Sequence, residues 1–127
     1  MITQGRKGNG ELNMSKIVIE KHEYDLQWLN NLTADDIQKM LPLDLNMQAY
    51  GAIEYFQKLP ITPYYDKKDS SRNAKLNTLV YCKEYQALVL VVKEHQDIFD
   101  EIPVATIMGD VSDFSRFHQN QISVILE

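Results

Sequence analysis

Apolar residues recur along this chain at two competing spacings, every second residue in some stretches and every third or fourth in others. SKIVIEK (15–21) clusters Ile17, Val18 and Ile19 and reads as a first strand. In 24–32 the spacings coexist: Tyr24, Leu26 and Trp28 alternate as in a strand, whereas Leu26, Leu29 and Leu32 suit a helical face. Thr33 then offers a hydroxyl as N-cap to a short helix over 34–41. Asp35 and Asp36 stand in its first turn, where the helix dipole favours carboxylates, and Pro42 ends it. Over 45–59, Ala49, Ala52, Ile53, Phe56 and Leu59 fall on one stripe, which predicts an amphipathic helix closed by Pro60. Gly51 inside it costs about 1 kcal/mol against Ala and would mark close packing.

The second half is richer in strand pattern. Residues 60–75 form a long loop with adjacent Tyr64 and Tyr65 and a local excess of Lys and Arg. LNTLVYC (76–82) and QALVLVVKE (86–94) read as strands, and the short KEY between them predicts an antiparallel hairpin. ALVLVV (87–92) is apolar on both faces, so it should lie in the middle of a sheet covered on both sides. HQDIFDEIP (95–103) reads as irregular, VATIM (104–108) as a strand, 111–119 as a short helix and QISVILE (121–127) as a last strand. The order β, α, α, β, β, β, α, β implies an α+β fold: a mostly antiparallel sheet of four to five strands with two to three helices packed on it.

Length and composition add bounds. The 127 residues fit one domain, and 44% hydrophobic with 24% charged residues is an ordinary globular balance. Residues 1–13 are polar and Gly-rich and read as a disordered extension ahead of a single domain over 14–127. Gly10 to Met14 can be back-translated as a purine-rich ribosome-binding sequence before a start codon, so Met14 is a candidate natural start in a bacterium or phage. A disordered arm is the alternative. One cysteine, Cys82, cannot build a disulfide framework and fits a reducing cytoplasm. No apolar run approaches the about 18 residues of a spanning helix, and the net charge of −5 opposes nucleic-acid and anionic-membrane binding.

Candidate chemistry is sparse. Cys82 with His95 is the obvious nucleophile and base, but hairpin geometry sets them at opposite ends, so Cys82 is read as structural. His22 with Glu23, His95 with Asp97, and His118 have no paired metal-ligand spacing and are read as scattered surface histidines. No phosphate-binding glycine motif is present, and no cofactor or metal is expected. Tyr64 and Tyr65 followed by DKK could stack bases, pack the loop down, or anchor a protein contact.

One stretch stands out: EHQDIFDEIPVATIMGDVSD (94–113) holds six carboxylates and no Lys or Arg. A field of like charge opposes folding and is easier to understand if a cationic partner neutralises it. The expectation is therefore a non-enzymatic protein of immunity, antitoxin or anti-defence type that masks a basic, nucleic-acid-processing partner. Asp97, Asp100, Glu101, Asp110, Asp113, Tyr64 and Tyr65 would make the contact. A small metal-dependent hydrolase or nuclease-like toxin, using acids and a histidine of 94–113, is one alternative. A structural component of a phage or bacterial complex, with a homodimer allowed, is the other.

Overall fold

Strand-type alternation extends well beyond the stretches where the sequence makes it plain. The computed structural model describes residues 14–116 and 119–127. The extension expected over 1–13, with the start at Met14, and the candidate ligand His118 fall outside the described residues or at their edge.

Among the described residues there are nine strands and one α-helix. They are β1 (Met14–Ile19), β2 (His22–Trp28), α1 (Leu32–Gln38), β3 (Leu43–Tyr50), β4 (Glu54–Lys58), β5 (Ser71–Ala74), β6 (Thr78–Cys82), β7 (Ala87–Val91), β8 (His95–Met108) and β9 (Gln121–Leu126). The strands run β2-β1-β9-β3-β4-β7-β6-β8-β5, every pairing antiparallel, and β2 pairs again with β8. All strands but β5 therefore close into a barrel, which removes the exposed edges an open sheet would leave.

This corrects the α+β expectation, and the largest error lies in 45–59. Those residues are not a helix but the β3–β4 hairpin, paired from Gln48 with Phe56 to Tyr50 with Glu54. Leu43, Leu45 and Met47 are buried while Asp44, Asn46 and Gln48 are exposed, an alternation of period two. The apolar stripe that imitates a helix straddles the turn between the strands, where Gly51 adopts φ +59. Each strand also gains a second partner, β9 for β3 and β7 for β4. Within the helix expected over 111–119, the described residues Ser112–Arg116 form a 3-10 turn. The helix α1 does form, but its cap is Asn31, whose Oδ1 accepts from the Ala34 N–H at 2.8 Å. Thr33, expected to cap it, instead donates to the Tyr64 carbonyl at 2.6 Å.

The barrel interior is one apolar cluster, including Ile17, Leu26, Met47, Leu79, Leu90 and Ile107, onto which α1 packs Ala34 and Ile37. A smaller cluster of Ala74, Val80, Cys82, Val89 and Val91, flanked by Phe56 and Phe99, lies on the outer face of the same strands. The expectation that ALVLVV is covered on both sides thus holds: Leu88 and Leu90 point inward, Val89 and Val91 outward. The outer cover comes from β8. Its register with β6 slips between Leu79 and Val80, opposite Ala105 and Pro103, and such a bulge accommodates a proline that has no N–H to donate. Beyond Ile102 the first half of β8 leaves β6 and pairs with β5, from Glu101 with Ser71 to His95 with Ala74.

Candidate functional site

The turned-back half of β8 encloses a cavity of about 350 Å³ against the outside of the barrel wall. Ile53, Phe56, Ala87, Val89, Ile98 and Phe99 supply apolar lining. Tyr85 meets Phe99 edge-on at 5.6 Å between ring centroids and Phe56 at a tilt at 6.4 Å, so the three rings form a continuous aromatic wall. Tyr50, Tyr85 and Ile98 stay largely exposed at the rim.

Four titratable side chains converge on this apolar space. His95 and Asp97 share one face of β8 because residues two apart on a strand point the same way; Glu101 joins them in the cavity across an irregular stretch, where the register with β5 shifts between Ser71 and Asn73. Glu54 comes from the start of β4. The side chains of His95, Glu54 and Asp97 are only 14%, 12% and 10% exposed. His95 Nε2 lies 3.3 Å from Glu54 Oε2 and 3.5 Å from Asp97 Oδ2. Its other ring nitrogen, Nδ1, lies 2.8 Å from the Lys93 carbonyl, which only accepts, so Nδ1 carries a proton. Asp97 is oriented by the Phe99 N–H, which donates to Oδ1 at 3.0 Å. Yet Nε2 of His95 and Oε2 of Glu54 are buried without a hydrogen-bond partner of proper geometry. Buried polar atoms left in this state are costly and need a reason.

Glu101 is 3% exposed. Burial first, then the charges of Asp97 and Glu54, push its carboxyl up to about 8. Burial likewise raises Glu54, with Asp97 adding to the shift and His95 opposing it. Glu101 is thus a protonated donor at neutral pH beside groups that accept. Cys82 also lines the cavity, but burial and then Glu101 and Glu84 hold its thiol up to about 12, against the Tyr85 backbone, so it is no nucleophile. Cys82 and His95 both line the cavity, yet they keep to opposite ends of the β6–β7 hairpin, as its geometry implies: Cys82 pairs with Ala87 at the turn, and His95 follows Val91 at the far end.

The residues expected to meet a partner do not share one surface. Asp97 and Glu101 turn into the cavity. Asp100, on the opposite face of β8, accepts from Arg72 Nε at 3.0 Å and lies 3.8 Å from Lys67 Nζ; Arg72 is the first cause of its lowered pKa. The basic loop and the acidic strand, far apart in sequence, therefore compensate each other in part. Tyr64 and Tyr65 tie that loop down. The Tyr64 N–H donates to Asp36 Oδ2 at 2.7 Å, and Tyr65 OH donates to the Asp100 carbonyl at 2.9 Å. Lys83 Nζ stands 5.1 Å over the Tyr65 ring. Asp110 and Asp113 lie past the opposite end of β8 and are exposed. His22 packs edge-on against Phe114, with centroids 6.0 Å apart, and Glu23 lies 3.6 Å from Lys16 Nζ.

Glu54 is the residue that sequence reasoning missed, since the helical reading of 45–59 left it on a solvent face. For His95 and Asp97 the signal was present as the alternation of H-Q-D-I, which the acidity of the stretch obscured; Glu101 lies beyond a register shift that no alternation announces.

A closed antiparallel barrel with one short helix among the described residues limits the relatives this chain can have. The model of the cyclophilin-like family matches residues 17–126. The chain belongs to that family. The solution structure of a hypothetical protein from Archaeoglobus fulgidus is similar to this cyclophilin-like chain with a TM-score of 0.60. It covers 94% of this chain and 96% of its own at 16% identity, a likeness that speaks for the fold alone. No curated protein matches the chain. No helix among the described residues is long and apolar enough to cross a membrane.

Proposed function

We propose that the cavity between β4, β7 and the turned-back half of β8 is the functional centre, and that the protein binds a small organic molecule there. The ligand's apolar body lies against Phe56, Tyr85 and Phe99, and one polar group meets Glu54, His95, Asp97 and Glu101. A single observation carries this reading: three carboxyls and an imidazole line one otherwise mainly apolar cavity of about 350 Å³. Ligand sites have this composition, apolar walls with a few convergent polar groups of perturbed pKa. Glu101 as donor beside the acceptor oxygens of Glu54 and Asp97 makes the site capable of moving a proton on a bound molecule.

The test is a two-dimensional NMR titration of chelator-treated protein with benzyl alcohol, benzylamine and benzoate, probes that share a body and differ in head group. Saturable shifts confined to the cavity, at Val89, Phe99 and His95, are the expected result. Benzylamine should bind tightest, because the polar end is rich in acceptors. If none of the three perturbs the cavity at millimolar concentration, the reading is wrong.

A second reading, capture of a basic protein partner, draws on the net charge of −5 and the exposure of Asp110 and Asp113. Charge reversal at both residues should then abolish salt-sensitive capture of a cationic partner and leave probe binding intact. A cytoplasmic setting fits either reading, since Cys82 is the one cysteine in the sequence and is buried without a disulfide.

A further inference from the structure

The pairing of His95 Nε2 with two carboxylate oxygens has an incomplete geometry. With Nδ1–H committed to the Lys93 carbonyl, a neutral imidazole points its Nε2 lone pair at Glu54 Oε2 and Asp97 Oδ2. With both carboxyls ionised, acceptors would then face acceptors in a largely buried space, unless a proton or a metal ion lies between them. A single proton, whether on Nε2 or on the Glu54 carboxyl, serves one contact and leaves the other, and Glu54 Oε2 and His95 Nε2 stand without a hydrogen-bond partner. A cation between the three atoms satisfies all of them.

The dimensions agree. Nitrogen and oxygen ligands sit about 2.0–2.2 Å from a bound zinc ion, so neighbouring ligands of a tetrahedral site are separated by roughly 3.4 Å. The two separations at His95 are 3.3 and 3.5 Å, and the three ligand atoms all lie within 4.8 Å of one another. The surroundings agree as well. An imidazole that binds a metal through one nitrogen commonly donates the other N–H to a backbone carbonyl, and a ligating carboxylate is commonly held by a further hydrogen bond. Lys93 and the Phe99 N–H fill those two roles. All three ligands stand on strands, which hold them more firmly than loops do.

We propose that Glu54, His95 and Asp97 form a divalent-metal site, with one coordination position left open toward the cavity. This rests on the reading of the cavity as the functional centre and deepens it. A dication neutralises the two ligating carboxylates and turns an end of the cavity that attracts donors into one that attracts a lone pair. One imidazole with two carboxylates favours zinc over manganese, and manganese over magnesium, since imidazole is a poor partner for the hardest cations.

Isothermal titration of the chelator-treated full chain with ZnCl2, MnCl2 and MgCl2, checked by elemental analysis after desalting, tests the proposal. One equivalent of zinc should bind with a micromolar or lower Kd, manganese at least tenfold more weakly, and the His95 Nε2 resonance should shift on zinc addition. Glu54→Gln and Asp97→Asn, which keep side-chain shape, and His95→Ala should each weaken zinc at least a hundredfold while circular dichroism stays that of a folded barrel. His22→Ala, outside the site, should leave binding unchanged. Zinc should also raise benzoate affinity at least tenfold through the open position.

Absence of saturable 1:1 zinc binding, or undiminished binding in all three site variants, overturns the metal site. Zinc binding without any gain in benzoate affinity overturns the open position. Probe binding without zinc binding removes the metal site alone, whereas zinc binding with no probe binding in either state removes the organic-ligand reading and the open position and leaves the three-ligand metal site standing.

Discussion

The two faces of β7 are a controlled contrast within one strand. Inward, Leu88 and Leu90 meet only the barrel interior, where polar atoms find partners. Tyr55 OH, for example, reaches the Phe114 carbonyl at 3.1 Å and the Gln119 carbonyl at 3.3 Å. Outward, Ala87 and Val89 line a cavity that keeps three carboxyls and an imidazole away from water, with Glu54 Oε2 and His95 Nε2 unsatisfied. Both faces are buried, so burial alone does not distinguish them. The inner face is arranged to lower the free energy of the fold, whereas the outer face retains groups that raise it. Such a retained cost is what a binding site requires.

The contrast can be attacked most strongly at Leu90. Leu90→Ala should lose about 2–5 kcal/mol in urea unfolding, because it opens a void in a close-packed interior. Val89→Ala, next to it but facing a space that already exists, should lose less than half as much. Equal losses would mean that the outer face is merely a second core.

The next effect concerns pH. The Glu101 carboxyl rises from an ordinary 4.5 to about 8 on folding. Between those values the unfolded chain has released the proton and the native state still holds it. The unfolded state therefore binds fewer protons, and stability falls as pH rises through that window, levelling off above it. The slope approaches about 1.4 kcal/mol per pH unit at its steepest. Glu101→Gln should flatten the profile measured by denaturant unfolding across pH 5–9; an unchanged slope would show that Glu101 is not the group responsible.

Glu54→Gln should move stability the opposite way from Leu90→Ala. By removing a buried charge from beside Asp97, it should raise metal-free stability by about 0.5–1 kcal/mol at pH 8, read as a higher urea midpoint. A clear loss would mean that the carboxylate supports the fold. A change of similar size sharpens the contrast from the far side. Asn31→Ala removes the cap of α1 and should cost about 1 kcal/mol while leaving the affinity of all three benzyl probes unaltered.

Parts of this architecture were readable directly and others were not, and the division follows from how local each signal is. The β6–β7 hairpin is plain because KEY is too short for anything but an antiparallel return and ALVLVV is too apolar for either of its faces to meet water. The last strand is plain because Ile122, Val124 and Leu126 alternate cleanly. Residues 45–59 mislead because a hairpin with a small turn can bring apolar residues to helical spacing by accident, and only partners on both sides select the extended form. The acids of 94–113 mislead differently. Their number is a property of the chain, but whether a carboxylate meets solvent, an arginine or an imidazole depends on which strand lies opposite.

Composition and periodicity thus settled the β6–β7 hairpin, the last strand and the site of one short helix, since each depends on neighbours a few residues away; they misread 95–103, the first part of β8, as irregular and 71–74, strand β5, as loop. Barrel closure through β2 and β8, the fold-back of β8 at Pro103 and the meeting of Glu54 with His95 and Asp97 belong to the folded chain alone. Contacts across 40 to 80 residues of sequence arise when separate strands bury their faces together, and no local pattern encodes which faces those will be.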